Sequence, residues 1–162
     1  MAISRNSNRY SVHLFNRQRR LHLNAARIRS LAVLVLEQEN CASGCAINLM
    51  FVRDPVIREF NRTYLDKDRA TDVISFQPDA ETIPYDDEQS AGDVIISVDR
   101  AVEYAENHGI PPAQELARYI IHGILHCRGY DDIDPGARRT MLRRQEQLLQ
   151  LWQQSNSQSV CS

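Results

Sequence analysis

His122 and His126 stand four residues apart in Ile120-Ile121-His122-Gly123-Ile124-Leu125-His126, and Asp132 follows six residues later, past Gly129. On an α-helix, positions i and i+4 lie one above the other on the same face, so both imidazoles can reach a single ion. Gly129 can take the left-handed conformation that ends a helix and turns the chain back, which lets Asp132 offer a carboxylate oxygen to that ion. Two histidines and one carboxylate with an open fourth position form a catalytic zinc arrangement. The competing reading is two ordinary histidines on one helix face. Ile120, Ile121, Ile124 and Leu125 weigh against it, because they make the helix apolar nearly all round and therefore buried, where unpartnered imidazoles are costly.

The neighbouring positions say which chemistry is missing. Zinc proteases with this spacing use His-Glu-x-x-His, the Glu serving as general base beside the metal. Gly123 occupies the Glu position here, so a metalloprotease lacking its usual Glu stands as an alternative. Cys127 adjoins His126, but neighbouring helix positions point about 100° apart, and it is expected in the core rather than on the ion. Tyr130 and Asp131 can fix a histidine tautomer by a hydrogen bond, or simply serve the turn after Gly129. His13, His22 and His108 have no partner at ligand spacing and read as ordinary residues, with His108 suited to a helix C-terminus.

Positioning these groups requires a sheet and helices. Tyr10 to Phe15 alternates like a strand, Asn24 can cap a helix running to about Glu39, and Cys45 to Val52 reads as a second strand. Asp54-Pro55 starts a helix with Val56, Ile57, Phe60 and Tyr64 as its apolar stripe, with Asp54 as cap. Thr71 to Phe76 and Gly92 to Val98 are rich in β-branched residues and give strands three and four, separated by an acidic loop with Pro78 and Pro84 that is a candidate flap. Asp99 is the expected cap of a helix ended by Gly109. Pro111 opens the long helix carrying the histidines, and Asp134-Pro135 starts a last helix through Met141, Leu148 and Trp152. The expected fold is a single α+β domain over residues 10–154, with a mixed four-stranded sheet covered by about five helices and the metal site on a central helix. Residues 1–9 are expected to be flexible and 155–162 to form a disordered tail.

The chain has 162 residues, 43% of them hydrophobic, which suits one domain with one substantial core. No apolar run approaches a membrane span and the start lacks the apolar core of a secretory signal, so the expectation is a soluble cytoplasmic protein with no membrane partner. The four cysteines, Cys41, Cys45, Cys127 and Cys161, match no common zinc or redox spacing and are expected as free thiols. The net charge of -2 does not announce a nucleic-acid binder. Its distribution is uneven: seven arginines (Arg5, Arg9, Arg17, Arg19, Arg20, Arg27, Arg29) and no acid fall in the first 36 residues. Either a solvated helix face or a phosphate-tracking groove would account for that pattern.

The run from His122 to Asp132 resembles the signature of the YbeY family of metal-dependent endoribonucleases. Asn61 to Phe76 is similar to that family's second block and Gly92 to Ser97 to its third; all three occur in the family's order. The family signature normally ends in a third histidine. Asp132 occupies its place, and a carboxylate there makes manganese or another divalent ion more acceptable beside zinc. Many members carry an arginine after the tyrosine of the second block; this chain has Leu65, with Arg62 and Arg69 as neighbouring sources of charge. The resemblance implies a single-strand-specific endoribonuclease acting in ribosomal RNA maturation and ribosome quality control. One Zn2+ per chain would be held by His122, His126 and Asp132, with His122 also counted among the catalytic residues. Lys67 and Arg69, in the loop before strand three, are candidates for holding phosphates, or else form a salt-bridged loop with Asp66 and Asp68. Thr71, Asp72 and Ser75 can orient the cleft. The implied partners are ribosomal RNA, ribosomal small-subunit particles, ribosomal proteins and a ribosome-associated GTPase. A reading from a different class is a non-catalytic ribosome-assembly metalloprotein in which metal serves folding.

Overall fold

The structure, a computed structural model, describes residues 9–78, 89–156 and 159–161. Its element order is β1 (Ser11–Asn16), α1 (Ala25–Gln38), β2 (Cys45–Val52), α2 (Asp54–Leu65), β3 (Val73–Phe76), β4 (Gln89–Ser97), α3 (Val98–His108), α4 (Pro112–Cys127) and α5 (Pro135–Asn156). The strands lie in the order β1-β2-β4-β3, with β1, β2 and β4 parallel and β3 antiparallel at the edge. This is the expected mixed four-stranded α+β sheet with five helices.

Alternation along the strands divides the apolar residues between two faces. Ile47, Leu49 and Phe51 of β2, with Val94 and Ile96 of β4, join the main core. Ile28, Leu31 and Val35 of α1, Ile120, Ile121 and Ile124 of α4, and Met141, Leu148 and Trp152 of α5 complete it. Val52, Ile74 and Ile95 face the other way and meet Ile57 of α2 in a smaller cluster. α4 is the central helix: ten of its sixteen residues are buried. Each such Ile or Leu taken fully from water contributes about 1.5–3 kcal/mol, so α4 is fixed against the sheet by packing rather than by helix propensity.

Two glycines make that approach possible. A Cβ added at Gly123 would meet Val94 Cγ1 at 2.3 Å and Val73 Cγ1 at 3.0 Å, and Ser75 Oγ donates to the Gly123 carbonyl at 2.8 Å. Gly92, with φ +123°, lies beside a register shift in the β2–β4 pairing; a Cβ there would meet Cys127 Sγ at 2.6 Å. Strand β4 therefore does not begin at Gly92 as expected but three residues earlier, and the glycine marks a bulge inside it.

Other expectations are corrected at the caps. Asn24 caps α1 as expected, its side chain accepting from the Arg27 N–H. α2 is preceded by Arg53 as cap, with Asp54 inside the first turn, and α3 is capped by Ser97 rather than Asp99. Asp99 is buried and spent elsewhere: it accepts from Arg20 at 2.8 Å, Arg53 at 2.5 Å and the Asp54 N–H at 2.8 Å. Burial alone would raise its pKa, but those donors outweigh it and hold the carboxyl below the usual range. Thr71 and Asp72 precede β3 rather than joining it, because Asp72 Oδ1 accepts from the Val73 N–H.

The described residues of the expected disordered tail are ordered. α5 extends to Asn156, Val160 is 1% exposed, its carbonyl accepts from the Asn24 N–H at 2.8 Å, and Leu23 pairs with Cys161. Arg9 is tied down as well, its carbonyl accepting from the Gly44 N–H at 2.8 Å. Residues 1–8, 157–158 and 162, and residues 79–88 of the candidate flap, lie outside the described residues. The four cysteines are free. No helix among the described residues is long and apolar enough to cross a membrane.

Candidate metal centre

The one side of α4 that is not packed carries His122 and His126, whose side chains keep 21% and 26% of their exposure. After Cys127 the helix ends in a Schellman motif. The Tyr130 N–H reaches the Leu125 carbonyl at 3.1 Å, the Gly129 N–H reaches the His126 carbonyl at 3.0 Å, and Gly129 adopts φ +97°. The reversal returns the chain over the helix face and delivers Asp132. His122 Nε2 and His126 Nε2 are 3.1 Å apart; Asp132 Oδ2 lies 3.3 Å from His126 Nε2 and 3.9 Å from His122 Nε2. Among the described residues these three form the one group of His, Cys, Asp and Glu able to hold an ion.

The donor set fits a divalent metal. Every pair is closer than the roughly 4.1 Å allowed to two ligands bound at about 2.05 Å each on one ion. The tautomers fit too. His122 Nδ1 faces Gln145 Oε1 at 2.8 Å and His126 Nδ1 faces the Tyr130 carbonyl at 3.0 Å, both acceptors, so each ring carries its proton on Nδ1. Both Nε2 lone pairs then point at each other across 3.1 Å, a repulsive contact unless a cation lies between them or one ring takes a second proton. Burial lowers the His122 pKa; the Gln145 bond opposes this, and the neighbouring His126 lowers it further, which favours the neutral ring, the form able to bind a metal.

Tyr130 thus fixes a tautomer as expected, but through its backbone carbonyl; its phenol donates to Glu39 at 3.0 Å. Asp131 serves the turn, accepting from the Ile133 N–H at 2.9 Å. Sequence reasoning missed Gln145. Its signal was present: it lies four residues after Met141 and three before Leu148, a polar side chain on the buried stripe of α5, and it is 8% exposed. Gln145 Nε2 donates to Glu146 Oε1 at 3.3 Å, which sets the amide so that its oxygen meets His122. Arg118 in turn holds Glu146 at 2.9 Å and Glu115 at 3.2 Å.

Cys127 stays out of the site, as expected. Its Sγ lies 3.7 Å from the Phe76 carbonyl and 3.8 Å from that of Asp93, and burial pushes the thiol up to about 12. Ser75 does not open into the cleft, since its hydroxyl is committed to Gly123. Gly123 faces the sheet, so the position where a zinc protease carries its general base points away from the ligands.

His122, Asp132 and Gln145 line a cleft of about 610 Å³ together with Asp72, Tyr119 and Arg138. An adjoining groove of about 490 Å³ shares Asp72, Tyr104, His108 and Tyr119 with it and is lined further by Arg69 and Arg100. Arg69 therefore borders the path to the ligands. Lys67 is exposed in the loop after α2 and lines neither space. The expected salt-bridged loop is not formed by these two: Asp68 pairs with Arg58 at 2.8 Å. Arg62 is paired with Glu59, and Leu65 is 45% exposed at the end of α2. Arg9, Arg20, Arg27 and Arg29 bond to Ser43, Asp99, the Ser159 carbonyl and the Val12 carbonyl, so these N-terminal arginines act within the fold rather than along the cleft.

Comparison with known proteins identifies a family. The family model for endoribonuclease YbeY matches residues 13–153. The endoribonuclease YbeY of Bacillus mycoides is 37% identical over 129 residues, covering 76% of this chain and 83% of that protein. That of Listeria monocytogenes is 35% identical over 132 residues, covering 75% and 82%. The solution structure of a Thermotoga maritima protein superposes with a TM-score of 0.61 over 89% of this chain and 90% of that one at 20% identity, a likeness of fold. The chain belongs to the YbeY endoribonuclease family.

Proposed function

We propose that this protein cleaves single-stranded RNA at a divalent metal held by His122, His126 and Asp132, and that it acts in ribosomal RNA maturation and ribosome quality control. The observation that carries the reading is the convergence of two lone-pair nitrogens and a carboxylate oxygen within 3.9 Å of one another, with His122 and Asp132 lining an open cleft. A divalent ion there supplies a more acidic water and offsets charge developing on the phosphate. Zinc suits the two imidazoles and the small donor number. Asp132, in place of the third histidine of the family signature, admits manganese more readily.

The chain's own residues do the rest. Gln145 and the Tyr130 carbonyl keep both Nδ1 protons in place, so the Nε2 atoms stay available. Arg69, whose guanidinium makes no ion pair among the described residues, borders the groove that leads to the ligands and takes a flanking phosphate. It is the candidate to supply the charge that Leu65 does not. Lys67, further out, takes a more distant phosphate. The setting of such an enzyme is the cytoplasm, with ribosomal small-subunit particles, ribosomal proteins and a ribosome-associated GTPase as partners.

The test is cleavage of a labelled single-stranded ribosomal RNA fragment by the native protein and by Asp132→Ala, purified side by side with metal content recorded. Metal-dependent cutting lost in the variant is expected. Equal cutting by both refutes the assignment, and metal-loaded native protein that cuts no RNA turns the account toward a non-catalytic assembly role.

A further inference from the structure

Tyr104 and His108, one turn apart on α3, stack with ring centroids 3.8 Å apart and planes at 12°. The Tyr104 carbonyl and His108 Nδ1 are 2.8 Å apart, which fixes the imidazole over its neighbour. The pair is not part of the core: Tyr104 is 44% exposed, a large aromatic surface left to solvent. Both residues line the cleft that holds His122 and Asp132 and also the adjoining groove that holds Arg69 and Arg100. An exposed aromatic stack thus stands between the metal ligands and two arginines. The helix is seated by Val98, Ala101, Val102 and Ala105, and the Tyr104–His108 pair lies beside that buried stripe, toward solvent.

Single-stranded nucleic acid is bound by this combination: aromatic rings against which unpaired bases stack, and cations that follow the backbone. We propose that Tyr104, backed by His108, is the platform for an unpaired base next to the scissile phosphate, with Arg69 and Arg100 on the phosphates beyond it. The inference rests on the endoribonuclease reading and adds what that reading lacks, a physical reason for single-strand selectivity. A base locked in a duplex has no free face to offer Tyr104. Asp72 and Glu103 line the same groove and disfavour phosphate beside them, which leaves phosphate contact to Arg69 and Arg100 and a base to Tyr104.

The experiment measures affinity for a hydrolysis-resistant 2′-O-methyl phosphorothioate oligonucleotide, single-stranded and as a duplex, together with cleavage kinetics on an unmodified single strand. Tyr104→Ala should weaken single-strand binding about tenfold, equivalent to about 1.4 kcal/mol, and raise KM with little change in kcat. Duplex binding should be unaltered. Tyr104→Trp should restore binding, with an indole emission quenched on addition of single strand but not of duplex, a signature that a structural role would not produce. Native protein that cuts RNA while Tyr104→Ala keeps its KM overturns the platform and leaves the nuclease reading standing. Native protein that neither binds nor cuts the single strand overturns both.

Discussion

Replacing Gln145 by leucine removes the acceptor that holds the His122 Nδ1 proton at 2.8 Å while preserving side-chain bulk at a position 8% exposed. Two effects add. The imidazole loses its reason to keep the proton on Nδ1, so the tautomer with Nε2–H, which cannot bind metal, becomes populated. The Nδ1–H, when present, is left without a partner at a cost of about 1–3 kcal/mol for a buried donor. His122 keeps 21% side-chain exposure, so water relieves part of this and the lower half of that range applies. Loss of such an outer hydrogen bond typically lowers metal affinity about 10- to 100-fold. The structure therefore predicts a loss of roughly tenfold for Gln145→Leu, about 1.4 kcal/mol. Competition titration of zinc against a chromogenic chelator measures it, with thermal unfolding of the metal-free proteins as a control for folding. Gln145→Glu retains an acceptor and should hold metal at least as well as the native chain. Native affinity in Gln145→Leu, or an equal loss in Gln145→Glu, would refute the tautomer argument.

Gly123→Ala should destabilise the protein, because its methyl would meet Val94 Cγ1 at 2.3 Å; overpacking of this kind costs about 1–3 kcal/mol. Thermal melting should show a fall of roughly 2–4 °C per kcal/mol, and an unchanged Tm contradicts the packing. Asp99→Asn should cost about 2 kcal/mol, below the usual figure for a broken buried pair because Arg20 and Arg53 are 37% and 50% exposed and can turn to water. Urea denaturation gives that number, and a change near zero counts against the cluster as the tie between α2 and α3. The metal-free protein should lose stability on acidification: His122 titrates lower when folded than unfolded, so its contribution is whole above pH 6.5 and is lost as pH falls from there toward its folded value. His122→Asn should flatten that slope in denaturation curves between pH 7.5 and 5.5. A slope unchanged in the variant assigns the effect to other groups.

The parts legible in the sequence are those with short-range causes. The histidine pair follows from a four-residue spacing on an apolar run, and the return of Asp132 follows from a glycine that can go left-handed; both are local facts, and the three side chains converge in the structure. Strand and helix identities came from periodicity. Much of what failed had long-range causes. Asp99 reads as a helix cap until Arg20, 79 residues away, and Arg53, 46 away, claim its carboxylate. The polar tail looks unstructured until Leu23 pairs with Cys161 and the Val160 carbonyl meets the Asn24 N–H. Gly92 reads as a strand start until the fold shows the space beside it filled by Cys127, from a helix distant in sequence. Gln145 could have been noticed as a polar intruder in an apolar stripe, but only the folded chain tells which donor it serves.

We propose that one ion on His122, His126 and Asp132 makes this chain a ribonuclease. The most direct test of this proposal strips the metal and follows cleavage of a single-stranded ribosomal RNA fragment as zinc or manganese is titrated back. The stripped protein should not cut, and the rate should rise with occupancy and saturate at one ion per chain, with no recovery in Asp132→Ala. A stripped protein that cuts as fast as the loaded one would contradict it.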